Sequence, residues 1–254
     1  MLHEPSHPAP DRGSEPSDPV VIDERGPWVP DGGFHVDPWR AVERAVITHA
    51  HADHVVRGCG SYLCTPETAR ILKVRLGPSI RVQPVPLGAS IGLGETRVSL
   101  HPAGHVLGSA QVRIDAPRRG GRGREVWVIS GDYATVPNPT CTPFEPVRCD
   151  VFVSECTFGL PIYRWPDPAE VAAEINAWWA ANAADGRNSV IFAYALGKAQ
   201  RVLAGLDASI GPVLEHGAMR AITETYRDCG VSLPDTRHAV AEEIRAAAGR
   251  ALLI

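Results

Sequence analysis

The stretch with the densest chemistry is Thr48-His49-Ala50-His51-Ala52-Asp53-His54, which holds three imidazoles and one carboxylate. Packing does not require such a cluster, whereas imidazole and carboxylate groups are common ligands of divalent metal ions. In an extended segment His49 and His51 project to the same side and can bind one ion. Asp53 and His54 follow at a turn and can face a second ion, because a carboxylate can join a neighbouring site. The sequence therefore predicts a metal site; the alternative is a solvated histidine-rich loop.

Polar residues of the same kinds recur after other apolar segments. Residues 45–47 form a predicted buried strand before the histidine cluster, and Asp37 ends a second predicted strand at residues 33–36. We predict that Asp37 accepts a hydrogen bond from a ligand imidazole and fixes its tautomer. The alternative role is a carboxylate that closes a turn at the strand end.

The motif His49-x-His51-x-Asp53-His54 resembles that of the metallo-β-lactamase superfamily, and later residues extend the likeness to its β-CASP nuclease branch. These are His105, Asp132 and the segment at residues 154–159 that contains Glu155. Residues 157–165, Thr-Phe-Gly-Leu-Pro-Ile-Tyr-Arg-Trp, resemble bacterial DNA-ligase-associated exonucleases of that branch. The resemblance covers about residues 20–254. It implies an α/β fold, namely an αβ/βα sandwich with a partial β-CASP-like α/β cap.

The resemblance also implies two zinc sites with histidine and aspartate ligands. The ligands would be His49, His51 and His105 for one zinc, Asp53 and His54 for the second, and Asp132 between the two. Zinc-bound water titrates near neutral pH, so a zinc-activated hydroxide needs no strong protein base; manganese is an alternative ion. The predicted catalytic residues are Asp53 and Glu155, the latter through proton transfer near the leaving group.

Three further residues are predicted to contact a substrate phosphate: Gly197, Lys198 and Ser109. Gly197 and Lys198 follow a predicted strand and open a predicted helix, whose N-terminus attracts anions. An exposed lysine beside a turn is the alternative. Ser109 lies in the glycine-containing turn after His105, and the glycines free the backbone to approach a substrate.

The composition suits one large or two small folded domains, since 44% of the 254 residues are hydrophobic. A net charge of −4 gives no global basic field, although a cleft can be locally positive. With no signal-peptide pattern and no run of membrane-spanning length, we expect no membrane partner and a cytoplasmic location. By resemblance, the expected partners are nucleic acid, in the first place DNA, and an ATP-dependent DNA ligase or helicase.

Composition and periodicity divide the chain into three predicted parts. Residues 1–19 are rich in proline, serine and acidic residues and are predicted to be a disordered tail. Residues 20–160 carry short strands and the metal motifs, and residues 161–254 alternate strands with helices. In this last part we predict a helix at residues 168–184, with Trp178 and Trp179 as core rather than base-stacking residues, and a buried strand at residues 189–193.

The chain departs from the family pattern near Ile254. The family carries two more histidines beyond the cap, yet no histidine follows His238, so the second metal site lacks one expected ligand. Residues 252–254 are predicted to form a strand without neighbours, which leaves an apolar edge open to association. The predicted function is a metal-dependent phosphodiester hydrolase, DNA exonuclease-like, as an incomplete chain. The alternatives are a small-molecule metallo-hydrolase of the same superfamily and an inactive scaffold.

Overall fold

The computed structural model describes residues 18–118 and 122–254 and shows a mixed α/β protein with three sheets in those ranges. The predicted disordered tail at residues 1–19 lies outside the described residues except for its last two positions. Within the two described ranges, no helix combines the length and the apolar character needed to cross a membrane.

The first sheet has six strands that lie side by side in chain order. The strands are β1 (Val21–Asp23), β2 (Gly26–Val29), β3 (Phe34–Val36), β4 (Arg44–Val46), β5 (Ser61–Cys64) and β6 (Val82–Pro84). Strands β1 to β3 are antiparallel, and β3 to β6 are parallel. Helix α1 (Pro66–Leu76) joins β5 to β6 and begins at Thr65, whose hydroxyl accepts the backbone N–H of Thr68.

The second sheet has five strands in the order β11-β10-β9-β8-β7. The strands are β7 (Ser90–Leu93), β8 (Thr96–Pro102), β9 (Ala110–Pro117), β10 (Arg124–Ile129) and β11 (Val151–Val153). Strands β7 to β10 are antiparallel, whereas β10 and β11 are parallel. The parallel pair matters for function, because the residues after both strands emerge at one edge of the sheet.

The first two sheets pack against each other around one apolar cluster. Phe34 and Val46 contribute from the first sheet, and Leu100 and Ile114 contribute from the second. The opposite face of the first sheet carries a second cluster that includes Ala45 and Ile47. Successive residues at positions 45–47 therefore pack into different clusters, because successive side chains of a strand point to opposite faces and both faces here are buried.

The second cluster also contains residues of two helices. Ile71 and Leu72 of α1 pack there together with Ile222 and Tyr226 of α4 (Gly217–Asp228), and Leu196 joins them. A part of the chain far from the first sheet in sequence is thus packed directly onto it. The predicted division at residue 160 stays a prediction.

The third sheet is formed by short parallel strands in the order β12-β15-β13-β14. The strands are β12 (Ser189–Val190), β13 (Val213–Glu215), β14 (Thr236–His238) and β15 (Leu252–Leu253). The helices of this region besides α4 are α2 (Pro168–Ala184), α3 (Lys198–Ala204) and α5 (Ala241–Ala246). Trp179 and Leu203 pack with Val213 and Leu252 in one apolar cluster.

The prediction for residues 252–254 is right about the strand and wrong about its surroundings. Strand β15 pairs with β12 on one side and with β13 on the other, so it is an interior strand. Leu252 is fully buried, and Ile254 is only 9% exposed. The predicted open apolar edge is wrong because both neighbouring strands come from earlier in the chain.

Two expectations for side chains of this region need correction. The predicted buried strand at residues 189–193 ends at Val190, and Phe192 is 96% exposed. The helix predicted at residues 168–184 is confirmed, and Trp179 lies in the core as predicted. Trp178, however, is 44% exposed, because adjacent helical residues point about 100° apart and only one of the two faces the sheet.

Candidate metal centre

Asp37 contacts Thr48, the first residue of the histidine cluster, which we call the metal loop (residues 48–54). Strands β3 and β4 are parallel, with Val36 opposite Val46, so the residues that follow them emerge at the same edge. Asp37 adopts the left-handed region with φ 42°. Its Oδ1 accepts the backbone N–H of Thr48 at 2.8 Å, which fixes the carboxylate against the loop.

The second sheet supplies the remaining site residues from its own strand ends. His105 lies in the turn between β8 and β9, and Asp132 and Glu155 follow the parallel strands β10 and β11. These residues meet the metal loop, so the candidate site lies where the ends of the first two sheets come together.

The first donor group consists of three imidazoles and the carboxylate of Asp132, whose ligand atoms lie within 4.8 Å of one another. Nδ1 of His51 is 3.0 Å from Nε2 of His49 and 3.3 Å from Nε2 of His105. Oδ2 of Asp132 is 3.4 Å from Nε2 of His105. The three histidines predicted for one ion are therefore adjacent, with Asp132 beside them.

Hydrogen bonds on the far side of the rings determine which nitrogens face this group. The hydroxyl of Thr48 donates to Oδ2 of Asp37 at 2.5 Å, so its oxygen accepts Nδ1–H of His49 at 3.1 Å. Nε2 of His49 is then unprotonated. Likewise, Nε2–H of His51 donates to the carbonyl of Leu196 at 3.1 Å, which leaves Nδ1 unprotonated. Two lone pairs thus converge on one point, as a cation site requires.

The second donor group consists of His54, Asp132 and Glu155. Nε2 of His54 lies 3.4 Å from Oε1 of Glu155 and 3.9 Å from Oδ1 of Asp132. Nδ1–H of His54 donates to Oδ2 of Asp37 at 2.8 Å, and the role of this carboxylate in orienting a metal ligand stays a prediction. Asp53 is 78% exposed at its side chain, with Oδ2 3.8 Å from Nε2 of His54. Asp132 belongs to both groups.

Burial favours the neutral form of two imidazoles in the first donor group, those of His49 and His105. It lowers the pKa of His49 well below the usual imidazole range, and the surrounding imidazoles lower it further. Burial also lowers the pKa of His105 to about 4, although Asp132 acts in the opposite direction. Neutral imidazoles at pH 7 are the form that binds metal ions.

The second donor group holds protons more tightly. Burial alone would lower the pKa of His54, but the hydrogen bond to Asp37 and the nearby carboxylates raise it to about 9. Burial, together with the hydrogen bond to Asp132, raises the pKa of Glu155 to about 7. Protons therefore occupy the metal-free second group where a cation would otherwise balance its carboxylates.

Helix α1 supports the turn that carries His105. The hydroxyls of Thr65 and Thr68 donate to the carbonyl of Gly108 at 2.7 Å and 2.9 Å. Gly108 has φ 76°, and a Cβ there would lie 2.6 Å from the backbone nitrogen of Thr68. Ser109 is buried, and its Oγ accepts the backbone N–H groups of His105 and the next residue. Gly108 therefore lets the turn approach α1 closely. The predicted phosphate contact at Ser109 stays a prediction.

Gly197 and Lys198 lie beside the first donor group. A Cβ on Gly197 would be 3.7 Å from Nε2 of His51. The charge of Lys198 adds to burial in lowering the pKa of His105, and its Nζ lies 4.8 Å from the ring centroid of Tyr194. A phosphate contact at Gly197 and Lys198 stays a prediction.

Reasoning from the sequence missed three supporting groups. They are the Thr48 hydroxyl, the Leu196 carbonyl and the Tyr226 hydroxyl, which accepts the backbone N–H of Leu107 at 3.3 Å. A backbone carbonyl has no residue signature, and Tyr226 lies in a helix whose apolar stripe predicts only packing. Thr48 could have been found from its position between the strand and the first histidine.

Comparison with protein-family profiles finds no match for this chain. A protein named as a probable DNA ligase from Opitutus terrae is 30% identical over 213 residues, which are 84% of this chain and 20% of that relative. A crystal structure of a protein of unknown function from Enterococcus faecalis V583 aligns with a TM-score of 0.56 at 14% identity. The alignment covers 83% of this chain and 57% of that one.

These likenesses carry different information. The structural likeness shows a shared fold and nothing about activity. The chain spans about a fifth of the length of the curated relative that it matches. It is therefore a homologue of one part of a protein named as a probable DNA ligase, and its cluster of histidines and aspartate is compatible with a metal site.

Proposed function

We propose that this chain is a metal-dependent phosphodiester hydrolase that acts on DNA in the manner of an exonuclease. In this proposal the first two sheets are a metallo-β-lactamase-like sandwich, residues 161–254 are a β-CASP-like cap on residues 20–160, and the protein works in the cytoplasm. The observation that carries the proposal is the pair of donor groups that share Asp132. Two adjacent ions suit phosphodiester cleavage, because the attacking and leaving oxygens both need charge stabilisation.

The donor atoms fit divalent cations. His49 Nε2, His51 Nδ1 and His105 Nε2 would hold one ion. His54 and Asp132 would hold the second, and the exposed Asp53, 3.8 Å from His54, would join them. An imidazole-rich set favours zinc, and the carboxylate-rich side also suits manganese. When bound, the ions supply Lewis-acid stabilisation of the phosphate oxygens and activation of the attacking water.

Glu155 is the proposed group for proton transfer. In the metal-free chain, burial and the hydrogen bond to Asp132 raise its pKa to about 7, which places this carboxyl group in the range suited to general acid catalysis. Its Oε1 faces the same space as Nε2 of His54, at 3.4 Å. A proton on Glu155 can therefore pass to the leaving oxygen, and general acid catalysis of this kind contributes roughly 10²–10⁴ in rate.

Exposed aromatic side chains near the site support a nucleic-acid substrate. Tyr194 is 73% exposed beside Lys198, and Phe158 and Trp165, which follow Glu155 in the chain, are also exposed. Aromatic rings stack on bases, and lysine pairs with phosphate. The name of the relative, a probable DNA ligase, supports DNA as the substrate and strand joining as the neighbouring reaction.

The test is a substrate panel with the purified chain. A 5′-phosphorylated single-stranded DNA oligonucleotide, nitrocefin and S-lactoylglutathione are each incubated with added zinc or manganese. We expect shortening of the oligonucleotide that EDTA abolishes, and no turnover of the two small molecules. Asp132→Asn, which alters the residue shared by both groups, should lose the activity.

Three outcomes would contradict the proposal. Turnover of either small molecule with an intact oligonucleotide would favour a small-molecule hydrolase. A metal-loaded chain that cleaves none of the three substrates would favour an inactive scaffold. Oligonucleotide cleavage that persists in Asp132→Asn would indicate a contaminating nuclease.

A further inference from the structure

A turn from the third-sheet region contacts the metal loop directly. We call it the cap turn (residues 194–198); it leads from β12 into α3. The carbonyl of Leu196 in this turn accepts Nε2–H of His51 at 3.1 Å. Leu196 itself is buried in the cluster on the outer face of the first sheet. A ligand imidazole of the first donor group is thus oriented by backbone from a distant part of the chain.

This contact matters because of what it leaves on the other ring nitrogen. A carbonyl oxygen only accepts hydrogen bonds, so Nε2 of His51 carries the proton and Nδ1 carries the lone pair. Nδ1 is the atom that lies 3.0 Å from Nε2 of His49 and 3.3 Å from Nε2 of His105. The position of the Leu196 carbonyl therefore sets both the tautomer and the direction of the ligand atom.

One buried side chain holds the cap turn in place. Gln200 is fully buried in α3. Its Oε1 accepts the backbone N–H of Gly197 at 2.8 Å, and its Nε2 donates to the carbonyl of Ala195 at 3.0 Å and to Oγ1 of Thr223 at 3.2 Å. The two residues that flank Leu196 are therefore fixed by the same amide group.

Close packing on Gly197 completes the arrangement. Gly197 has φ 88°, and a Cβ there would lie 2.4 Å from Cγ1 of Val106, the residue after His105. Only glycine both adopts this backbone conformation readily and lets the cap turn approach the metal centre this closely.

We propose that Gln200 is a positioning residue for the metal ligand His51, acting through the Leu196 carbonyl, and that Gly197 provides the necessary close approach. The inference rests on the metal-binding part of the proposed function and goes beyond it, because it makes metal affinity depend on the cap turn. Gln200 itself touches neither the metal nor the substrate.

The test measures zinc affinity by calorimetric titration of the intact chain, without an activity assay. Gln200→Met keeps the length of the side chain and removes its hydrogen bonds, and Gly197→Ala pushes the cap turn away from Val106. Gly230→Ala is the matched control, since Gly230 has φ 86° but nothing within 4 Å of an added Cβ. We expect both test variants to lower the affinity for the first zinc ion by roughly 10–100-fold. The control should leave this affinity unchanged.

A second readout separates positioning from general destabilisation. ¹⁵N NMR of the metal-free chain reports which ring nitrogen of His51 is protonated, and it should show Nε2–H in the wild type and in Gly230→Ala. A mixed or reversed tautomer in Gln200→Met or Gly197→Ala supports the inference even where zinc binding is too weak to titrate. If the wild type binds zinc and both test variants keep the wild-type zinc affinity and His51 tautomer, the inference is wrong but the proposed function is untouched. A wild type that binds no zinc overturns it together with the proposed function.

Discussion

Oδ2 of Asp37 lies 2.8 Å from Nδ1 of His54 and accepts its hydrogen. The same oxygen accepts the hydroxyl of Thr48, which in turn orients His49. One carboxylate outside both donor groups therefore fixes an imidazole in each of them. Its removal should disturb two metal sites at once.

Replacing Asp37 by asparagine should lower the affinity for each of the two ions by roughly 10–100-fold, because hydrogen-bond partners of metal ligands typically contribute this much to metal affinity. Thr48→Val removes only the hydrogen bond to His49 and should lower only the affinity for the first ion. Calorimetric zinc titration separates the two effects. Asp23→Asn is a suitable control, since Asp23 pairs with His35 at 3.0 Å outside both donor groups. Equal zinc affinities of Asp37→Asn and Asp23→Asn would contradict the prediction.

Metal binding to the second group should release a proton. In the metal-free chain His54 is protonated at about pH 8, because its pKa is raised to about 9 by Asp37 and the nearby carboxylates against the effect of burial. Nε2 must lose a proton before it can bind an ion, so binding of the second ion should release about one proton more near pH 8 than above about pH 10. Titrations in buffers of different ionisation enthalpy measure this number. Heats that do not depend on the buffer would contradict it.

Glu155→Gln tests whether this residue transfers a proton or binds metal. As a proton donor it should be dispensable for binding, so the variant keeps both ions and cleaves oligonucleotides roughly 10²–10⁴-fold more slowly. The alkaline limb of the pH profile, which reflects loss of a proton from a group with a pKa of about 7, should also disappear. Elemental analysis after dialysis provides the check. Loss of one ion from Glu155→Gln would show that Glu155 is a ligand instead.

Lys198→Ala should weaken binding of single-stranded DNA and reduce its dependence on salt. One phosphate contact fewer lowers the slope of log affinity against log salt by about 0.7 for single strands. Fluorescence anisotropy at several salt concentrations measures this slope. Lys73→Ala, which removes an exposed lysine of α1, should leave the slope unchanged. An unaltered slope in Lys198→Ala would argue against a phosphate contact.

Local sequence could predict the elements whose signals are local. The apolar run before the histidine cluster predicts β4, and Pro168 after Asp167, whose side chain caps the helix, marks the start of α2. The type and spacing of the metal-loop residues predict the donor groups, and the structure brings His49, His51 and His105 together with Asp132. The nuclease activity, the zinc identity and the sandwich assignment stay predictions.

Features that depend on distant partners could not be predicted. The interior position of β15 follows from strand order, which neighbouring residues do not encode. Phe192 is exposed beyond the end of β12 at Val190, and its apolar neighbours in sequence give no sign of this. The contact of the Leu196 carbonyl with His51 depends on how the third-sheet region packs onto the first sheet. The approach of Glu155 to His54, at 3.4 Å, likewise depends on how the ends of the two sheets meet.

The interior position of β15 has a consequence for the order of folding. Strands β12 and β13 are not paired with each other, and β15 lies between them, with Leu252 opposite Ser189 on one side and Val213 on the other. During synthesis the third sheet therefore cannot close until the ribosome has released residues 252–253, whereas the first two sheets need only residues that emerge earlier. Contacts that span so much of the chain form slowly, because loop closure comes before any gain from pairing. The cap turn, and with it the final orientation of His51, should accordingly be among the last parts of the molecule to become ordered.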